Sequence, residues 1–411
     1  MEGLHAPPPL RETSGLRPWI HKTRTRMDST SVDRIRSVSE AAGNEEARTS
    51  LVALQVGVVG CGHISKTHLR GWERVAGARV AGVLDLDTAL ARGLAERFNV
   101  PTVFADLDQL LDRCDIVDVC TPPRAHADAV VAAASTGRHV LVEKPFVVTV
   151  DEWKRARGVI EASGIKVSAV HNLKYSLAML NAQRWIRAGR IGEVLRVDRL
   201  FLTSPSKDRM FDPCGHWSHA LPGGRWFETL PHELYTVYDL IGPARLEGVS
   251  VVATVKAPPG APAEEVTVTL STKRTIATLH YSANCELNRR QTRIYGTEGM
   301  IHIDGPSDSA YLSRAGSERW KRPIGGPFIE SGAILKRFVS DRGAYALKRA
   351  KRQTAHERVI RAFVEHIAGR GPAPGGIDEI DYVVRNSHLI GQAIDRGVVD
   401  VAGRAGPGEI W

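Results

Sequence analysis

The sequence predicts an α/β protein: a doubly wound parallel sheet, followed by an α+β domain with an open, largely antiparallel sheet. Three observations predict it. Short apolar runs alternate with helix-length segments between residues 54 and 170, and a glycine-rich loop closes the first of those runs. Farther on, apolar and polar residues alternate along successive short stretches. The chain of 411 residues is long enough for two or three domains, and 43% hydrophobic with 25% charged residues is an ordinary globular composition. A chain disordered throughout, a collagen-like repeat and a small disulfide-stapled scaffold are excluded. No uninterrupted apolar stretch reaches the ~18 residues of a membrane span. The five cysteines, Cys61, Cys114, Cys120, Cys214 and Cys285, contain no C-x-x-C pair. Such usage predicts a reducing, cytoplasmic location without a disulfide framework or zinc knuckle.

Taken in order, residues 1–51 read as a disordered tail. Pro7, Pro8 and Pro9 precede a stretch rich in Arg, Ser, Thr and Glu with no apolar periodicity. The stretch lacks the apolar core of a secretory signal and is too acidic for a transit peptide. Strands follow at Leu54–Val59, Val80–Leu84, Ile116–Cys120, Val140–Val142 and Ile165–Val170. Helical spacing lies between them, as in Leu90, Leu94, Ala95 and Phe98. This defines a first domain over 52–172. The second, over 173–403, opens with a helix at Leu177–Ala188, a strand at Val194–Leu202 and a helix at Phe227–Ile241. Val266, Val268 and Leu270 then alternate with Thr267 and Thr269, the pattern of a half-buried strand. Further strands are expected at Thr275–Tyr281, Thr292–Tyr295 and Met300–Ile303, the last two joined by a turn at Gly296–Gly299. Helices near Glu357–Ala368 and Tyr382–Asp395 close the fold, and 404–411 is a short tail.

The first strand runs into Gly60-Cys61-Gly62-His63-Ile64-Ser65, close to the fingerprint G-x-G-x-x-G/A of dinucleotide sites. Gly60 permits the tight turn, Gly62 lets a pyrophosphate approach bare backbone, and the following helix offers free N–H groups. Asp85 ends the second strand, at the place where an acid accepts hydrogen bonds from ribose hydroxyls. An acid there repels a 2′-phosphate and no Arg follows at once, so NAD is favoured over NADP. Thr121-Pro122-Pro123 and His126 follow another strand, and Glu143-Lys144-Pro145 follows the next. Both lie at the carboxyl edge of the sheet, where open α/β folds bind ligands.

These motifs, with the junction His171-Asn172-Leu173-Lys174-Tyr175 and the Gly296–Gly299 turn, resemble the Gfo/Idh/MocA oxidoreductases over about 52–403. The resemblance implies a Rossmann domain, a second substrate-binding and oligomerising domain, and an active site between them. It implies cofactor contacts from Gly60, Gly62, His63, Ile64, Asp85, Thr121, Pro122, His126, Glu143 and Lys144. Lys144 would contact the reacting hydroxyl and the cofactor. Glu228-Thr229-Leu230-Pro231-His232 is similar to the family's D-x-G-x-H and places His232 on the general base. Glu228 replaces the usual Asp and Leu230 the usual Gly, so the pocket should differ in shape.

The chemistry makes those roles intelligible. Oxidising a secondary alcohol removes a proton from oxygen while a hydride leaves carbon. An imidazole takes that proton near neutral pH, and an ammonium stabilises the developing alkoxide. Substrate contacts are expected from Asn172, Lys174 and Tyr175, and from Trp217 and Trp226 stacking on a sugar ring. Cys214, His216, His219 and His232 lack metal-ligand spacing, so no metal is expected. The resemblance further implies oxidation or reduction of a sugar, cyclitol or nucleotide-sugar by a homodimer or homotetramer. A redox-neutral lyase or hydrolase and a non-catalytic NAD-binding regulator stay open.

The formal charge is +9. All of that excess lies in 314–370, where 14 Lys and Arg face five Asp and Glu. The ordinary reading is a solvated helical surface; a sharper one is attraction of an anionic substrate or of anionic lipid. No nucleic-acid motif accompanies the charge.

Overall fold

A computed structural model describes residues 53–211, 215–252, 263–284, 286–314, 332 and 353–397. Strands β1 (Leu54–Val59), β2 (Ala78–Leu84), β3 (Ile116–Val119), β4 (His139–Val142) and β5 (Val167–Ala169) form an all-parallel sheet in the order β2-β1-β3-β4-β5. β3 and β4 are buried at every position. Burial on both faces explains why they read as continuous apolar runs without alternation.

Helices α1 (Ser65–Trp72), α2 (Thr88–Phe98), α3 (Leu107–Arg113), α4 (His126–Ser135) and α5 (Val150–Ser163) cover that sheet. Their starts follow local chemistry. The Asp87 carboxylate accepts from the N–H groups of Ala89 and Leu90, and Asp106 accepts from Gln109. Thr149 and Glu152 form a reciprocal capping box at α5, which ends at Gly164.

The second domain comprises α6 (Leu177–Arg187), β6 (Val194–Leu202), α7 (Arg225–Ile241) and strands β7 (Arg245–Val252), β8 (Glu265–Ser271), β9 (Ile276–Ser282), β10 (Arg289–Gly296), β11 (Gly299–Asp304) and β12 (Ser309–Arg314). The strand order is β12-β11-β10-β6-β9-β8-β7. Every pair is antiparallel except β6–β9. One face packs Val197, Val268, Leu279 and Ile294 against Met179 of α6 and Leu230 and Leu234 of α7.

Two C-terminal helices, α8 (Ala355–Ile367) and α9 (Ile377–Asp395), bind the halves together. Val359, Ile360 and Phe363 of α8 pack on Leu69 and Trp72 of α1. Ile380 and Val384 of α9 enter the core of the first domain, whereas Ile390 and Ile394 enter that of the second. One continuous helix therefore packs into both cores. The 1–51 and 404–411 tails lie outside the described residues, as does most of the basic segment. In its described part, Arg358 donates to the Tyr175 carbonyl and Arg370 pairs with Glu365. No described helix is long and apolar enough to cross a membrane.

Candidate active site

The carboxyl edge of the parallel sheet brings four of the predicted segments together. Gly60 has φ +95°, and a Cβ there would lie 2.7–2.8 Å from backbone atoms of Cys120 and Thr121. Only glycine satisfies both constraints. At Gly62 the same construction meets nothing within 4 Å among the described residues, so bare backbone faces open space. The Ser65 hydroxyl donates to the Gly62 carbonyl at 2.7 Å and fixes the loop. Ile64, just before α1, offers no side-chain cap, so among the described residues no side chain caps the first N–H groups of α1. His63 is exposed and Ile64 half-buried at this mouth.

Asp85 accepts from the N–H of Cys61 at 2.6 Å and of Asp87 at 2.9 Å, one on each oxygen. Each oxygen retains acceptor capacity for a ribose hydroxyl. Thr121 Oγ1 is buried with no hydrogen-bond partner among the described residues. Glycine turn, uncapped helix, half-used acid and orphaned hydroxyl together fit an NAD cofactor. Gly60→Ala should cost about 1–3 kcal/mol of stability through strain and abolish NAD-induced stabilisation. Thermal unfolding with and without NAD checks this.

Pro122 lies exposed at the same edge. His126 is fully buried: Nε2 faces the Thr121 carbonyl at 2.7 Å and Nδ1 the Pro145 carbonyl at 2.9 Å. It straps the Thr-Pro-Pro loop to the Glu-Lys-Pro turn, whose Lys144–Pro145 bond is cis.

Lys144 pairs with Glu228 of α7, joining the two domains in one ion pair. The other Glu228 oxygen accepts from Arg225 Nη1 at 3.2 Å. Burial favours the neutral acid, but Lys144 and Arg225 outweigh it and hold the carboxyl below its usual range. One turn farther along α7, His232 Nδ1 lies 2.7 Å from the Tyr235 hydroxyl. That hydroxyl accepts from Leu173 N–H at 3.0 Å and donates to Asn172 Oδ1 at 3.1 Å. With its single proton directed at Asn172, Tyr235 accepts from Nδ1–H, leaving Nε2 of His232 as a lone-pair acceptor. Burial first, then the charge of Lys144 and Arg290, pushes this imidazole well below its ordinary value. It is neutral at pH 7.

The motifs gave no sign of His68. This fully buried residue of α1 sits between two acids. Nδ1 is 2.9 Å from Asp118 and Nε2 is 3.0 Å from Glu143. Trp72 Nε1 also donates to Asp118, at 2.7 Å. Burial opposes the imidazolium, but Asp118 overrides it and raises the pKa well above its usual value. Burial likewise opposes the Glu143 carboxylate, but the His68 hydrogen bond wins and holds it at about 2. The second Glu143 oxygen accepts from Lys144 N–H at 2.9 Å, which anchors the backbone of the candidate catalytic lysine. His68, Glu143 and His356 are close enough to share a metal ion. Both ring nitrogens of His68 are already hydrogen-bonded to carboxylates, which is a complete ion-pair network.

Among the predicted substrate residues, one lies in the core of the second domain. Trp226, expected to stack on a sugar, has 0% exposure and donates Nε1–H to the Ala263 carbonyl at 2.8 Å. It is a core residue, because its apolar mass faces the sheet and its one donor is satisfied inside. Lys174 pairs with Glu379, at 2.6 Å, with Asp239 at 3.7 Å. Tyr175 is half-buried beside that pair. Trp217 is 41% exposed, 4.9 Å from the His216 ring. His216 and His219 bond to Ser218 and the Met210 carbonyl; Cys214 lies outside the described residues.

The model of the oxidoreductase family with an NAD-binding Rossmann fold, Gfo/Idh/MocA, matches residues 54–171. The Gfo/Idh/MocA C-terminal domain model matches 179–302. An inositol 2-dehydrogenase of Rhizobium meliloti is 27% identical over 203 residues, 49% of this chain and 58% of that protein. A D-apiose dehydrogenase of Paraburkholderia graminis is 26% identical over 146 residues, 35% of this chain and 39% of that protein. A levoglucosan dehydrogenase of Pseudarthrobacter phenanthrenivorans is 28% identical over 165 residues, 38% and 42% of the two chains. The chain thus spans 39% to 58% of the length of these curated relatives. Among solved structures, levoglucosan dehydrogenase with NADH superposes with TM-score 0.68 at 18% identity, covering 84% of this chain and 98% of that one. WlbA dehydrogenase from Bordetella pertussis, with NADH and UDP-GlcNAcA, gives 0.67 at 17% identity, covering 84% and 96%. Two consecutive domain matches on this topology settle the family: the chain belongs to the Gfo/Idh/MocA oxidoreductases.

Proposed function

We propose that the protein oxidises or reduces a secondary hydroxyl of a sugar, cyclitol or nucleotide-sugar with NAD as its cofactor. The observation that carries this reading is the meeting of Lys144, Glu228 and a neutral His232 beyond the carboxyl end of β4. Bound NAD would supply the acceptor for the hydrogen that leaves carbon with its electron pair. Gly60, Gly62 and the start of α1 would hold the pyrophosphate, and Asp85 a ribose. His232 Nε2 takes the hydroxyl proton, and the resulting imidazolium stays on His232, with Nδ1–H still donated to the Tyr235 hydroxyl, which in turn donates to Asn172. Lys144 stabilises the oxygen as negative charge develops, while Glu228 fixes the lysine against recoil. The free, buried thiols of Cys61, Cys114 and Cys120 fit a reducing cytoplasm. Ile276, an apolar side chain at 49% exposure on β9, supports assembly with further copies of the chain.

Purified protein, NAD and a panel of sugars, cyclitols and nucleotide-sugars, followed by absorbance of reduced nicotinamide, test the proposal. Net reduction with at least one compound supports it. Product release without net reduction would instead identify redox-neutral chemistry. For a substrate found this way, kcat/KM of oxidation should stay flat as pH falls through 6.5, because His232 remains neutral there. A decline centred near 6.5 contradicts that assignment. His232→Gln should lower kcat about 10²–10⁴-fold.

A further inference from the structure

A cavity of about 610 Å³ opens between the covered face of the seven-stranded sheet and the start of α6. It adjoins the reacting groups. Thr236 lines it one helical turn beyond His232, and so does Leu173, whose N–H donates to Tyr235. Its sheet wall carries Arg199, Arg289 and Arg290.

The charges there do not cancel. Arg199 and Arg290 share one carboxylate, Glu233, whose side chain is 2% exposed. Arg199 donates to Glu233 and to Thr292 Oγ1, the latter at 2.8 Å. Arg290 Nε stands 3.8 Å from the remaining Glu233 oxygen and has no hydrogen-bond partner among the described residues. Its guanidinium is held 4.8 Å from the centroid of the Phe201 ring. Arg289 is exposed beside it. The acids there are taken: Asp208 accepts from Arg225 and Thr203, and Asp308 from Ala178 N–H at the start of α6, while Lys207 adds a further cation to the lining. Two cations on one acid, with a third at the rim, leave a surplus of positive charge in a partly desolvated cleft. Such a surplus is costly unless an anion completes it. Guanidinium groups present the paired donors that phosphate oxygens accept.

We propose that Arg290 and Arg289, backed by the Arg199–Glu233 pair, receive a phosphate or diphosphate ester on the substrate. The inference rests on the dehydrogenase reading and narrows its substrate to an anionic sugar. The esterified end lies against β6 and β10, and the reacting hydroxyl faces His232. The ester stays intact; only the carbinol carbon changes oxidation state.

Calorimetric titration of the NADH-loaded protein reads binding without turnover. A hexose monophosphate, a nucleoside diphosphate hexose and the unesterified hexose are compared, with inorganic phosphate as competitor. At least one ester should bind tenfold or more tighter than the neutral hexose, and phosphate should displace it. The tighter of the two esters identifies the source. Arg290→Gln and the exposed Arg289→Gln should each weaken that ester about 10- to 100-fold, the effect of losing a charge-assisted hydrogen bond. Neutral hexose should be unaffected, and Arg290→Lys should recover part of the loss. Equal affinity for esters and neutral hexose, or equal weakening of both in the variants, overturns the subsite. Ester binding that persists while no compound reduces nicotinamide keeps the subsite and removes the dehydrogenase reading.

Discussion

Replacing Lys144 by methionine lowers turnover about 10²–10³-fold, the typical effect of removing one donor aimed at a developing oxyanion. The prediction follows from placement rather than from residue type. Lys144 lies two residues beyond β4 at the sheet's carboxyl edge, and Glu228 reaches it from the other domain. Side-chain exposures of 13% and 10% make the pair nearly buried. The variant therefore strands a carboxylate, at a cost of about 3–5 kcal/mol in the strongest cases. Here the cost should fall at the low end, because Arg225 still holds the second oxygen of Glu228. Adding Glu228→Gln removes the stranded charge and should restore most of the stability but none of the turnover. Denaturant unfolding and steady-state rates on the single and double variants separate the two effects. Recovery of both together would show that Lys144 merely maintains structure.

The largest expected loss of stability comes from His68→Leu. It removes the cation between Asp118 and Glu143 and leaves two buried acids, costing about 3–5 kcal/mol. His356 cannot replace it. Its Nε2 lies 3.8 Å from Glu143, and burial chiefly pushes its pKa down to about 4. The pH dependence has a definite sign. Glu143 is held at about 2, below the ordinary 4.5, so its contribution is complete above 4.5 and lost as pH falls toward 2. His68 is raised, so its contribution is complete below 6.5 and lost only as pH climbs through its raised value. The gap between wild type and His68→Leu should thus be widest near pH 5–7 and close in acid. Urea unfolding from pH 7 to pH 3 tests this; a pH-independent gap contradicts the charge argument. Because Glu143 also accepts from Lys144 N–H, turnover should fall as well, and His68→Gln should recover part of it.

Much of the fold was legible because local chemistry and burial agree. β6 has the expected bounds, Val194–Leu202, and β8, β9 and β11 lie within a residue of theirs, where one face is buried and the other is not. β7 escaped notice: its polar positions include Arg245, Glu247 and Gly248, and a register shift interrupts its alternation. α3 and α5 are better marked by Asp106 and by Thr149 with Glu152 than by apolar spacing.

The candidate site divides the same way. Lys144, Glu228 and His232 sit in motifs whose residue types declare chemistry, and the fold brings Lys144 and Glu228 into contact across 84 residues. His68 sits in an unremarkable helical position. Its partners lie 50 and 75 residues away, so only the three-dimensional pairing reveals it. Trp226 misleads for the opposite reason, since a tryptophan next to glycines suits both a sugar platform and a core. Burial decides for the core.

The central claim is transfer of hydrogen from a carbinol carbon of the substrate to NAD under the control of Lys144 and His232. Its most direct test is a substrate deuterated at that carbon, with mass spectrometry of the nucleotide recovered after turnover. One deuterium per turnover should appear in the reduced nicotinamide, and Lys144→Met should slow its appearance without altering its position. Deuterium lost to solvent, or product formed while the nucleotide remains unlabelled, would contradict the account.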